Sequence, residues 1–105
     1  MIQTINIKNI KKAKVVLSIQ FAAYRVEADI IGSTDIPLLK DTIDALQRCE
    51  ETFIGSYIND QLCGVLSFKM KHNVLDIHRL IVDPKYFRKG TGKALLAYIE
   101  SEYKP

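Results

Sequence analysis

Asp76-Ile-His-Arg-Leu-Ile-Val-Asp-Pro-Lys-Tyr-Phe-Arg-Lys-Gly-Thr-Gly-Lys-Ala-Leu-Leu96 reads as an apolar strand, a basic turn built on glycine, and a helix that starts among those glycines. Glycine lets a turn adopt positive φ and leaves no side chain in the way of a ligand. Successive N–H groups can then converge on an anion at the positive end of a helix dipole. Arg88, Lys89 and Lys93 add cationic side chains at the same point. Such a junction suits a phosphate. Spacing excludes two common phosphate motifs. A Walker A loop needs Ser or Thr after its lysine, whereas Lys93 is followed by Ala94 and the earlier glycine is missing. A dinucleotide fingerprint needs a third glycine where Leu95 stands and an acidic residue well downstream, beyond the last residue of the chain.

Outward from this stretch, the pattern predicts a strand over Ile2 to Ile7, with Asn9 as the cap of a helix. Ile10, Ala13, Leu17, Phe21, Tyr24, Ala28 and Ile31 recur at helical spacing, and Gly32 is a natural stop. Asp35-Ile-Pro37 breaks the pattern, and Leu39, Ile43 and Leu46 mark a shorter helix ending near Cys49. Strands follow at Thr52 to Ile58, Leu62 to Met70 and Val74 to Val82, with Asn59-Asp60 and His72-Asn73 as the turns between them. Leu95, Leu96, Ile99 and Tyr103 give the last helix its buried stripe.

At 105 residues with 48% hydrophobic and 26% charged side chains, the chain reads as one small α+β domain with a thin core. No apolar run is long enough to span a bilayer, and the first residues lack a signal-peptide layout, so the expected location is the cytoplasm. Cys49 and Cys63 lack metal-ligand spacing and are expected as free thiols, with no metal site. A net charge of +3 is too small and dispersed to argue for nucleic acid, and no membrane partner is expected, but the charge suits a polyanionic ligand. Lys11, Lys12 and Lys14 read as a solvated helix face, Lys85 and Tyr86 as solvent-facing turn residues, and Tyr98 and Tyr103 as packing.

The strand Leu80-Ile-Val82-Asp-Pro84 followed by Phe87-Arg-Lys-Gly90-Thr-Gly92 resembles the acetyl-CoA pyrophosphate loop of the GNAT family of N-acetyltransferases. That family's pattern is Leu-x-Val-x-Pro, then Arg/Gln-x-x-Gly-x-Gly/Ala, then a helix. Phe87 stands at the Arg/Gln position, and Arg88 is displaced from it by one residue. The order β-α-α-β-β-β-α over residues 1–105 resembles the front part of the GNAT, or acyl-CoA N-acyltransferase, fold, a mostly antiparallel sheet flanked by helices. Family members continue with a further strand and helix that complete the cofactor cleft and supply a thiolate-protonating tyrosine, so the expectation is a single domain truncated after the loop helix. The alternatives are a fragment, a cleft completed by another chain, as in a homodimer through the open sheet edge, or a protein without catalysis.

The resemblance implies acetyl-CoA as co-substrate and direct transfer of its acetyl group to a primary amine, carried by a small molecule or a peptide. By the same resemblance Leu80, Ile81 and Val82 offer backbone groups to the pantetheine arm and the thioester. Arg88, Lys89, Gly90, Thr91, Gly92 and Lys93 hold the pyrophosphate, and the loop before the second helix walls the acceptor site. An amine with a pKa of about 10.4 is neutral only on the order of one part in a thousand at neutral pH, so a base must take its proton. Asp76 lies near the position where many relatives carry a glutamate, and is the first candidate base; a solvated carboxylate or a pair with Arg79 is the alternative. His78 shares its face by period-two alternation, which a bulge would change, and is the second candidate, with a structural role as its alternative. A non-catalytic, CoA-binding or self-associating module is the competing function, and a plain scaffold the third.

Overall fold

The computed structural model describes residues 1–32 and 41–103. Its elements are β1 (Ile2–Ile5), α1 (Ile10–Ile31), α2 (Ile43–Arg48), β2 (Thr52–Ile58), β3 (Gln61–Lys71), β4 (Val74–Val82) and α3 (Thr91–Glu102), with one 3₁₀ turn at Pro84–Tyr86. The strands form one antiparallel sheet in the order β1-β2-β3-β4, the α+β arrangement the sequence predicts. Both hairpins turn on residue pairs with positive φ, Asn59 and Asp60 at 50° and 64°, His72 and Asn73 at 53° and 63°. That conformation matches the right-handed twist of the strands it joins.

Local chemistry sets the element ends. The Asn9 side chain accepts from the Lys12 N–H at 3.1 Å to start α1, and Gly32, at φ 71°, closes it by donating to the Ala28 carbonyl at 2.8 Å. β1 stops at Ile5 rather than Ile7, because the Asn6 side chain takes the Lys8 N–H and the Asn6 carbonyl takes the Asn9 N–H. Those two bonds bend the chain into α1 while Ile7 stays buried. Thr42 caps α2 through Ala45 N–H at 3.1 Å. Asp35-Ile-Pro37 and Leu39 lie outside the described residues.

Each sheet face has its own core. α1 and α2 cover one, where Ala13, Val16, Ile19 and Leu46 pack on Phe53, Val65 and Ile81. α3 covers the other, where Leu95 and Ile99 pack on Ile54, Leu66 and Phe68. The Phe68 and Tyr103 rings meet there at 4.8 Å. The buried stripe of α1 is rotated from the predicted one: Val16, Ile19 and Gln20 point inward, whereas Ile10 is 56% exposed. Cys49 and Cys63 are free thiols. Among the described residues no helix is long and apolar enough to cross a membrane.

Among the described residues β4 is an edge strand, and its register slips between Ser67/Phe68 of β3 and Arg79/Ile77 of β4, so His78 is an extra residue without a partner in the ladder. A bulge of this kind changes the phase of the strand. Below it Leu75 packs on the α3 face; above it Ile81 packs on the α1 face. Asp76, His78, Arg79 and Ile81 therefore face α1 and α2, while Leu80 and Val82 face the α3 side.

Candidate active site

α3 begins at a turn that the backbone alone sets. Gly90 caps it at φ 77°, a conformation in which an L side chain is strained. The helical ladder starts when Ala94 N–H donates to the Gly90 carbonyl at 2.9 Å, so the N–H groups of Thr91, Gly92 and Lys93 precede any acceptor within the helix. Those donors point out of the positive end of the dipole. A Cβ added at Gly92 would touch only the Val82 Cγ2, at 3.7 Å, so the fold itself would accept a side chain there. Glycine inside a helical turn costs about 1 kcal/mol relative to alanine. The space it leaves beside Val82 is open, and packing within the fold does not require glycine at this position.

That space belongs to a cleft of about 540 Å³ between the C-terminal half of α1, the end of β4 and the start of α3. Leu80, Ile81, Val82, Arg88, Thr91 and Gly92 line it, together with Gly90. Val82 lies across from Gly64 and Ile81 across from Val65, while Asp83 N–H donates to the Cys63 carbonyl at 2.8 Å. By alternation, Ile81 spends its backbone groups on β3, and Leu80 and Val82 turn theirs to the open edge. Their outward N–H and C=O groups border the cleft.

The other predicted residues are placed differently. Lys89 and Lys93 are exposed and do not line the cleft. Arg88 does line it, held at φ 64°, a left-handed conformation that costs a residue with a side chain roughly 1–2 kcal/mol. Phe87, 42% exposed, gives the cleft apolar surface where the resemblance has a polar side chain. Tyr86 is half-buried rather than solvent-facing: it lines the cleft and its hydroxyl donates to Gln61 Oε1 at 3.1 Å.

Asp76 and His78 lie farther down β4, outside the cleft lining, and the bulge brings them together: His78 Nε2 is 3.1 Å from Asp76 Oδ2. Arg79 takes no part in that pair. It is 6% exposed and binds Asp41 Oδ2 at 2.8 Å, Gln20 Oε1 at 3.0 Å and Glu51 Oε1, above the Phe53 ring at 5.5 Å. Burial lowers the Arg79 pKa, but the Asp41 hydrogen bond and the fields of Glu51 and Asp41 outweigh it and leave the guanidinium above its ordinary value. Ser67 Oγ also donates to Glu51 Oε1, at 2.6 Å, and Glu51 Oε2 lies 3.4 Å from His78 Nδ1. This network was missed in the sequence. Its signal is a polar residue in the phase of an apolar stripe: Gln20 on α1, Arg79 within β4.

Tyr24 and Glu27 of α1 also reach the cleft. Burial raises the Tyr24 pKa, Glu27 adds to it and Arg79 opposes it. Among the described residues no group of His, Cys, Asp and Glu is placed to hold a metal ion.

A family model described as the acetyltransferase (GNAT) family matches residues 16–104. UPF0157 protein YqkA of Bacillus subtilis (strain 168) is 38% identical over 99 residues, which cover 94% of this chain and 29% of that protein. The chain thus spans less than a third of the length of that curated relative. Among solved structures, the PaiA N-acetyltransferase of Thermoplasma acidophilum in complex with coenzyme A matches with a TM-score of 0.71 at 20% identity, over 96% of this chain and 69% of the other. An aminoglycoside 6'-N-acetyltransferase complexed with coenzyme A matches at 0.69 and 15% identity, over 98% of this chain and 54% of the other. At such identities the two structures speak for the fold, and with the family model extending over most of the sequence, the chain belongs to the acetyltransferase (GNAT) family.

Proposed function

We propose that the chain binds acetyl-CoA and passes its acetyl group by direct attack to a primary amine, carried on a small molecule or a peptide. The observation that carries this reading is the set of N–H donors of Thr91, Gly92 and Lys93, exposed by the Gly90 turn at the mouth of the cleft beside Leu80–Val82. In this reading those donors and Arg88 hold the pyrophosphate, with Lys89 and Lys93 adding longer-range attraction. The edge groups of Leu80 and Val82 bind the pantetheine amides and polarise the acetyl carbonyl, where charge develops as the amine attacks. Ile81 supplies the apolar floor. Asp76, paired with His78, takes the proton of the incoming ammonium. Matching structures include an aminoglycoside acetyltransferase in complex with sisomicin, which supports a small-molecule amine as the acceptor.

A second reading has its own observation. The outward backbone groups of β4 have no strand beside them among the described residues, which favours a CoA-binding module that pairs with a second copy. Thiol release from acetyl-CoA in the presence of primary amines separates the two. Turnover supports transfer, whereas binding without turnover, joined with a dimer in sedimentation, supports the module. A Gly90→Asp, Gly92→Asp double substitution puts carboxylates among the donors and is expected to weaken acetyl-CoA binding at least about a hundredfold. Unchanged affinity in that variant removes the α3 turn from the site and the proposal with it.

A further inference from the structure

We infer that Glu27 of α1 is the seat for a second positive charge on the acceptor, which makes that acceptor a di- or polycationic amine. The inference rests on the transfer reading above and adds the class of amine that the cleft selects. The C-terminal half of α1 presents Ala23, Tyr24, Val26, Glu27 and Ile30 to the cleft. The others offer apolar surface, and Glu27 interrupts it with a charge. The residues three and four positions away along the helix are Ala23, Tyr24, Ile30 and Ile31, so no cation of α1 stands where an intrahelical pair would form. Among the described residues Glu27 makes no hydrogen bond or ion pair, although it shares the cleft with Arg88.

The charge of Glu27 runs against the other occupant of the cleft. Coenzyme A is a polyanion, and a carboxylate in the wall of its cleft repels it unless a cation lies between them. Glu27 and Arg88 are the charged side chains of the lining, one of each sign, and in the transfer reading Arg88 meets the pyrophosphate. That leaves Glu27 to the second ligand. Arg79 does not neutralise it: its field reaches Tyr24, but it is 6% exposed and matched with Asp41 and Glu51. Glu27 acts on Tyr24 in the opposite sense and raises its pKa, so the phenol lies within the negative field of the carboxylate. A carboxylate beside an aromatic ring holds an ammonium in two ways, since the oxygens accept its N–H bonds and the ring face attracts its charge. Glu27 is exposed, so a flexible acceptor reaches it from solvent. Held there, the second ammonium keeps its protons, and the nitrogen at the other end of the molecule is the one acetylated.

A matched pair of amines tests this. Butane-1,4-diamine and butylamine share their carbon chain and differ by one ammonium group. With acetyl-CoA as donor, wild-type kcat/KM is expected to favour the diamine at least about fivefold, more than its doubled number of amino groups accounts for. Glu27→Gln is expected to remove that preference. The same variant is expected to bind acetyl-CoA as tightly as the wild type or up to about threefold tighter, because a like charge has left the cleft. Equal kcat/KM for the two amines in the wild type, a preference that survives Glu27→Gln, or weaker acetyl-CoA binding by that variant overturns the inference. If the wild type does not turn over acetyl-CoA, the transfer reading fails, and titration of the two amines followed by the NMR signals of Glu27 and Tyr24 still decides the seat. Tighter binding of the diamine that Glu27→Gln abolishes supports it, and equal binding of the two amines overturns it.

Discussion

The closed end of the molecule around Arg79 of β4 and the open end at the start of α3 contrast sharply. Around Arg79 each polar group is spoken for: one guanidinium reaches Asp41, Glu51 and Gln20, and Ser67 closes the set. Nine residues on, at Arg88, and through the first turn of α3, the backbone is arranged the opposite way, with N–H donors aimed into open space and a residue held at positive φ. A buried charge demands partners, and the fold supplies them from α1 and β3 and from Asp41 and Glu51, which lead into α2 and β2. Donors at an exposed helix start can wait for a ligand, because water satisfies them meanwhile. The closed end fixes shape, and in the proposed reading the open end is the one that binds.

The sharpest way to break this contrast is Arg79→Met. It strands the carboxylates of Asp41 and Glu51 in the core, and loss of about 3–5 kcal/mol in urea unfolding is expected, enough to unfold much of a marginal domain. A change under about 1 kcal/mol would mean that the network contributes little to the fold. The matching change at the open end is Gly92→Asp alone. A carboxylate in the first turn of α3 suits the dipole, so stability should rise by about 0.3–1 kcal/mol while acetyl-CoA affinity falls at least about tenfold. Stability and affinity moving together there would erase the distinction between the two ends.

Arg88→Gly sharpens the contrast further. Relief of the left-handed strain is offset by greater freedom of the unfolded chain, so stability should change by less than about 1 kcal/mol. Acetyl-CoA affinity should drop several-fold and lose part of its salt dependence, checked by titration at two ionic strengths. The smallest effect concerns Tyr24, whose raised pKa comes first from burial and then from Glu27. A group with a raised folded pKa adds stability that is complete below its ordinary value of 10.0 and is lost as pH rises through the higher folded value. Tyr24→Phe should flatten that alkaline loss in thermal unfolding, and an unaltered slope would assign the loss to other groups.

Much of this was legible in the chain. Apolar, strand-favouring composition between turn signals gave β2, β3 and β4 to within a residue, because the turns that separate them use Asn, Asp or His, which tolerate positive φ. Asn9 and Gly32 marked the ends of α1 by local hydrogen bonding that depends on nothing distant. The glycine turn was equally plain, since a helix start between two glycines and among basic residues needs no tertiary information to be noticed. The site around it was only partly legible: Arg88 and Gly90–Gly92 meet at the cleft, while Lys89 and Lys93 point elsewhere.

What the sequence determined by itself is therefore local: element types, their caps and turns, and the donor-rich start of α3, all decided by short-range sterics and hydrogen bonds. Tertiary structure alone decided which way β4 faces. Strict alternation puts Asp76, His78, Leu80 and Val82 on one side; the bulge opposite Ser67/Phe68 divides them and leaves Asp76 and His78, both exposed, on the same sheet face as buried Arg79. Gln20, Asp41, Glu51, Ser67 and Arg79 are spread over 60 positions of the chain, and a charge in the core is stable only when such distant groups converge on it. No local pattern can announce that convergence, because the energy that rewards it exists only once the sheet and both helices have closed around it.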